Sequence, residues 1–160
     1  MLRYRKIETR DDAAIAGIIR ANLEKFHLNI PGTVYFDAQL DHLSTYYQAE
    51  PENRVYFVAL GEAGQVIGGV GVDAFAGLPG CAELQKLYLD DRAKGKGYGK
   101  ALIGIAEAWA RQAGYRQLYL ETHSNLGIAL GLYEKLGFRR IARPEAVVHS
   151  TMDHFYLKKL

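Results

Sequence analysis

One cysteine, Cys81, stands among 160 residues, so no disulfide can close within the chain and no cysteine cluster can hold zinc. No apolar run approaches the roughly 18 residues that span a bilayer. The opening MLRYRKIETRDD has none of the apolar centre of a secretory signal. These absences lead to an expectation of a reducing, cytoplasmic setting. Neither sign of charge dominates either: the net is +2, too little for the long basic stripe of a nucleic-acid binder. There is no internal repeat, low-complexity tract or linker, and the length is that of one domain, roughly 100–200 residues. Residues 1–160 are therefore read as a single domain.

What is present is unevenly placed. Residues 1–80 carry 7 Lys/Arg and 10 Asp/Glu, whereas residues 81–160 carry 13 and 8. Four of the later positive charges (Arg92, Lys94, Lys96, Lys100) fall in one short stretch, RAKGKGYGKAL. Around it the pattern predicts alternating elements. LRYRKIE reads as a strand, and DDAAIAGIIRANLEKF as a helix with Ile15, Ile18, Ile19, Leu23 and Phe26 on one face. Asp37 is expected to cap a second short helix carrying Leu40, Leu43 and Tyr47. A hairpin turns at Glu62–Gly64, and CAELQKLYLD is a further strand. YGKALIGIAEAWARQAG is a helix with Leu102, Ile105 and Trp109 on its apolar face, stopped by Gly114. YRQLYLET, SNLGIALGLYEKLG, FRRIA and HFYLKKL complete a strand, a helix and two strands. The order predicts an α/β fold, a mixed sheet with helices on its faces.

The glycine stretch reads as an anion cradle, since glycine lets backbone N–H groups approach a ligand and a helix start leaves its first donors unpaired. A Walker loop needs Ser or Thr after Gly-Lys, and here Lys100 is followed by Ala101. A dinucleotide loop needs G-x-G-x-x-G, and here Gly95, Gly97 and Gly99 are evenly spaced by two. Both familiar phosphate loops are excluded.

A strand, a short acidic turn, KGKGYG and then an amphipathic helix resemble the signature of the GNAT superfamily of N-acetyltransferases, [QR]-x-x-G-x-[GA]. Gly97 and Gly99 match its small positions, and Lys94 stands where the family most often has Arg or Gln. Downstream, SNLGIALGLYEKLGF resembles the family's N-x-x-A-x-x-L-Y-x-K-x-G-F, with Asn125 one residue further from Tyr133 than in the commonest form. The resemblance implies a single-domain, mostly antiparallel twisted sheet of about seven strands with about four helices. Strands 4 and 5 would splay to hold coenzyme A.

It also implies acetyl transfer from acetyl-coenzyme A to a primary amine of a small molecule or peptide, by direct attack in a ternary complex. The co-substrate would meet Leu87, Tyr88, Leu89, Lys94, Gly95, Lys96, Gly97, Tyr98, Gly99, Lys100 and Asn125, with the Leu87 N–H on the thioester carbonyl and free main-chain groups near Leu89. Tyr133 occupies the family's usual general-acid position; its other reading is a core aromatic beside Ala129 and Leu136. Glu83 is either a general base or a strand-end salt bridge, and Asn125 either a cofactor contact or a helix N-cap. His149, His154 and Asp153 lack the further ligands a metal would need, so no metal is expected. Cys81 and Trp109 read as core. The aromatic, mildly acidic segments around residues 26–47 and 144–157 would shape an acceptor pocket for a cationic amine. No nucleic acid or membrane is expected as partner, and a homodimer stays open. The rival readings are a non-catalytic acyl-coenzyme A sensing module and a nucleotide-phosphate binder.

Overall fold

The computed structural model describes residues 1–160. Seven strands form one sheet: β1 (Arg3–Lys6), β2 (Val55–Leu60), β3 (Val66–Ala74), β4 (Cys81–Leu89), β5 (Gln117–Thr122), β6 (Arg139–Ile141) and β7 (His154–Lys159). Their spatial order is β1-β2-β3-β4-β5-β7-β6, and all neighbours are antiparallel except β4 and β5. Four helices cover the faces: α1 (Asp12–Lys25), α2 (Leu43–Gln48), α3 (Tyr98–Gln112) and α4 (Gly127–Lys135). The expected α/β class and element order are what is observed.

Two apolar layers follow from the two-residue period of the strands. Along β2, Val55, Phe57 and Ala59 point to a layer with α3 and α4, while Tyr56 and Val58 point to α1 and α2. Ile15, Ile19 and Leu23 of α1 are at most 2% exposed, each contributing roughly 1.5–3 kcal/mol by burial. On α3 the inward face is Leu102, Ile103, Ala106 and Ala110, not the expected Leu102–Ile105–Trp109 stripe. The two alanines let the helix lie close to the sheet, which moves Ile105 and Trp109 to the half-buried margin.

Asp37 does not cap α2 through its side chain. A 3-10 turn at Leu40–His42 precedes that helix, and the Asp37 carboxylate instead reaches His149 and Lys86. The reason is charge: two cations near a buried carboxylate hold it more strongly than a helix N–H would.

The feature that positions the site is the parting of β4 from β5. They pair only at Cys81↔Gln117, Ala82↔Leu118 and Glu83↔Tyr119, at the start of each strand. On its other edge β4 stays paired to β3, with a bulge where the register shifts between Gly69 and Gly71. Beyond Glu83, then, β4 runs beside open space.

Candidate active site

That space is a cavity of about 890 Å³. Residues 83–89 of β4 line it, together with the end of α1, the glycine loop, the end of β5, the start of α4 and the segment around His149.

The glycine loop begins where the Asp90 carboxylate accepts the Arg92 N–H at 3.0 Å and starts a 3-10 turn over Asp91–Ala93. Gly95 (φ 77°) and Gly97 (φ 80°) are both left-handed, a conformation side chains resist. A Cβ added at either would meet no protein atom within 4 Å. Backbone conformation, rather than packing within the chain, is what calls for glycine here. Helix α3 starts at Tyr98, so its first N–H groups face the cavity without intrahelical partners. Such a cradle, open on one side and set at the positive end of a 15-residue helix, fits a pyrophosphate.

Nearly all of the expected co-substrate residues are brought together here. Leu87, Tyr88, Leu89, Lys94, Gly95, Gly97, Tyr98, Gly99, Lys100 and Asn125 all line the cavity. Lys96 does not; it is exposed and outside the lining. Three of the others hold bonds the sequence did not suggest. Lys94 Nζ donates to Asn22 Oδ1 and Asp91 Oδ1, each at 2.7 Å, so its charge is engaged within the fold. The Leu89 carbonyl, expected to be free, accepts Asn22 Nδ2 at 2.9 Å. Asn125 is not a cap: its amide donates to the Phe26 carbonyl at 2.9 Å and its N–H donates to His123 Nδ1. It ties the end of α1 to the approach of α4, and His123 does the capping.

Tyr133 lies on α4, 6% exposed, packed against Phe138 and Tyr156 with ring centroids 6.0 Å apart. It belongs to the core and to the cavity wall at once. Burial, and then Tyr156, push its phenol up to about 12. It stays protonated at neutral pH.

Glu83 is the last residue of β4 that pairs with β5. Gln85 Nε2 donates to it at 2.9 Å, and Gln85 is itself fixed by the Tyr47 hydroxyl at 2.6 Å. Burial, and then the neighbouring Glu121 carboxylate, push Glu83 up to about 7. A carboxyl group poised there can exchange protons near neutrality.

Beside Glu83 runs a chain of alternating charges that sequence patterns did not foretell. Lys86 Nζ lies 3.0 Å from Asp37 Oδ2, Asp37 Oδ1 is 2.8 Å from His149 Nε2, and His149 Nδ1 is 3.0 Å from Glu121 Oε1. Burial opposes charge on the His149 ring, but its bonds to the two carboxylates outweigh this and carry it up to about 9. The four residues come from a loop, a strand interior, a strand end and a second loop, so no local spacing joins them. A lysine inside the strand-like run ELQKLYL was the one signal available. His154, weighed beside His149 in the sequence, instead pairs with Asp153 at 2.7 Å. Cys81 is buried and its thiol is raised to about 11, which keeps it an unreactive core group.

Residues 12–138 match the acetyltransferase (GNAT) family. The chain belongs to that family. It is 37% identical over 139 residues to the uncharacterized N-acetyltransferase YjgM of Escherichia coli strain K12, covering 86% of this chain and 81% of that protein. Its fold matches a GNAT-family acetyltransferase from Staphylococcus aureus Mu50 with a TM-score of 0.88 over 100% of this chain and 99% of that one, at 17% identity. A second fold match, at TM-score 0.74 and 19% identity over 100% and 99% of the two chains, is the PaiA N-acetyltransferase of Thermoplasma acidophilum, solved with coenzyme A. This GNAT protein is thus an acetyltransferase by family, with the seven-stranded open sheet that its relatives share.

Proposed function

We propose that this GNAT protein works as a single domain over residues 1–160 and transfers an acetyl group from acetyl-coenzyme A to a primary amine by direct attack in a ternary complex. The observation that carries the reading is one cleft with a phosphate-fitting glycine cradle, a carboxyl group poised near 7 and a protonated phenol in its lining.

When bound, acetyl-coenzyme A supplies a thioester activated toward amines. The residues divide the remaining work. Main-chain N–H groups of Gly97, Tyr98 and Gly99 hold the pyrophosphate, with Lys100 adding charge at the cavity edge. Lys94 acts indirectly, by fixing the loop to Asn22 and Asp91. The edge of β4 that β5 leaves unpaired receives the pantetheine arm as an added strand, and the Leu87 N–H polarises the acyl oxygen. Glu83, held by Gln85, takes the proton that the ammonium must lose, directly or through water. Tyr133 keeps a proton at its hydroxyl and delivers it to the sulfur as the C–S bond breaks, and the phenolate left behind is reprotonated from solvent. The cleft holds both reactants in one enclosed space, which converts an encounter into a positioned reaction.

The setting expected for this chemistry is the cytoplasm, consistent with the absence of any helix long and apolar enough to cross a membrane. The test is a turnover screen of acetyl-coenzyme A against amine classes: polyamines, aminoglycosides, amino acids and peptide N-termini. Acetyl transfer to at least one class supports the reading, and a folded protein that transfers to none refutes it.

A further inference from the structure

Lys86 combines three properties that packing alone does not call for. Its side chain is 3% exposed, yet it lines the cleft. An ammonium withdrawn this far from water is costly unless its surroundings answer it. Its backbone is left-handed (φ 48°), at the bulge where β4 slips against Gly69–Gly71, and the Tyr56 hydroxyl holds its carbonyl at 2.8 Å. A long side chain in that region is strained, and such strain gathers at ligand sites. Finally, an ammonium has three N–H donors, and Asp37 at 3.0 Å is its one protein partner. That contact is an ion pair without hydrogen-bond alignment, so the ammonium keeps donors for a group that enters the cleft.

The neighbouring charges narrow what that group is. Both ring nitrogens of His149 are taken by Asp37 and Glu121, so His149 has no donor to give. Glu121 also accepts the Tyr119 hydroxyl at 2.8 Å. Glu83 accepts only Gln85 and keeps room for an amine. Glu83 and Lys86 stand three residues apart on one strand and feel each other's charge. This end of the cleft therefore offers one carboxylate for an ammonium and one ammonium for a carboxylate, with Leu28, Val34 and Met152 as apolar lining nearby. A zwitterion matches that pair and adds no net charge to a buried space, whereas a polyamine would add several.

Resting on the acetyltransferase reading, we infer that the acceptor is an α-amino acid whose carboxylate is anchored by Lys86 while its amino group faces Glu83. Lys86 is then the residue that selects the substrate class.

The experiment measures acetyl transfer on matched triplets: a free amino acid, its amide and its decarboxylated amine, such as leucine, leucinamide and isoamylamine, repeated for each side-chain type. Free amino acids should exceed amides and amines in kcat/KM by about tenfold or more, mainly through KM, the scale of a charge-assisted hydrogen bond. Lys86→Met should remove most of that preference. The double variant Lys86→Met with Asp37→Asn deletes both members of the ion pair, so it gives the same reading if the single variant is unstable. Amides or amines used as well as free acids, or a preference that survives in the double variant, would overturn the inference. Transfer to amines but not to amino acids would sink it and leave the acetyltransferase reading standing. A folded protein that binds coenzyme A and acetylates no member of any triplet would overturn the inference, while the acetyltransferase reading falls only if the polyamine, aminoglycoside and peptide classes fail as well.

Discussion

Burial raises the pKa of Glu83 and Tyr133 alike, with opposite consequences. For the carboxyl group it brings the proton into the working range, at about 7; for the phenol it secures the proton, at about 12. Tyr133→Phe should lower turnover by roughly 10²–10⁴-fold, the usual scale for a general acid, while coenzyme A affinity by calorimetry barely changes. Full turnover in Tyr133→Phe would leave that ring a core residue only. For Glu83 the sign of the pH effect is specific. Below about 7 the wild-type carboxyl group is protonated and cannot act as base, so the rate should rise through that pH. Glu83→Gln should lose this rise, with its largest deficit above the inflection near neutrality. As pH approaches the acceptor's own pKa the amine sheds its proton unaided and the deficit should shrink. A deficit constant across pH would make Glu83 structural.

At the scale of elements, two segments frame the cleft. The glycine turn before an amphipathic helix was legible in the sequence, and Gly95, Gly97 and Gly99 do line the cleft, whereas Lys96 between them lies outside it. Gly97→Val places a branched side chain at φ 80° on the open side of the cradle. It should weaken coenzyme A binding far more than it lowers the melting temperature, and unchanged affinity in a folded variant would take the loop out of the site. The segment between β6 and β7 was expected from the family resemblance to help shape an acceptor pocket, but its ties to the rest of the fold were not legible. It crosses to the N-terminal half, where Thr151 Oγ1 donates to the Pro31 carbonyl at 2.7 Å and the Thr151 N–H donates to the Gly32 carbonyl. A Cβ on Gly32 would come within 2.5 Å of Thr151 Oγ1, so this close approach needs glycine. His149 adds the ionic tie to Asp37 and Glu121. Its folded pKa of about 9 lies above the ordinary 6.5. The stability it contributes is thus fully present below about 6.5 and is lost as pH rises through 9. Melting curves of wild type and His149→Gln should be furthest apart near pH 6 and converge toward pH 10. A gap that stays constant would mean that the ring packs rather than pairs.

Across the whole molecule, the sequence disclosed what is periodic or contiguous and hid what is assembled. Strand and helix order, the cradle, and the Tyr133 motif are local patterns, and each could be read. The Lys86–Asp37–His149–Glu121 chain spans residues 37 to 149 and exists only once the sheet has brought β4, β5 and two loops together. Lys94 and Leu89 line the cleft as expected, but their bonds to Asn22 were hidden for a related reason, since Asn22 on α1 reaches both across the fold. The acidic balance of residues 1–80 and the basic balance of residues 81–160 also take on a spatial sense. The basic half brings the glycine loop proposed to hold phosphate, and the acidic half contributes Asp37, the partner of Lys86 in the cleft lining. The central claim is that one cleft serves both ends of an acetyl transfer. Its most direct test follows thiol release from acetyl-coenzyme A together with the mass of the acceptor, across the amine panel. The account predicts thiol release that depends on the acceptor and is matched one for one by N-acetylated product. Thiol release indifferent to every acceptor, or none at all from a protein that binds acetyl-coenzyme A, would contradict it.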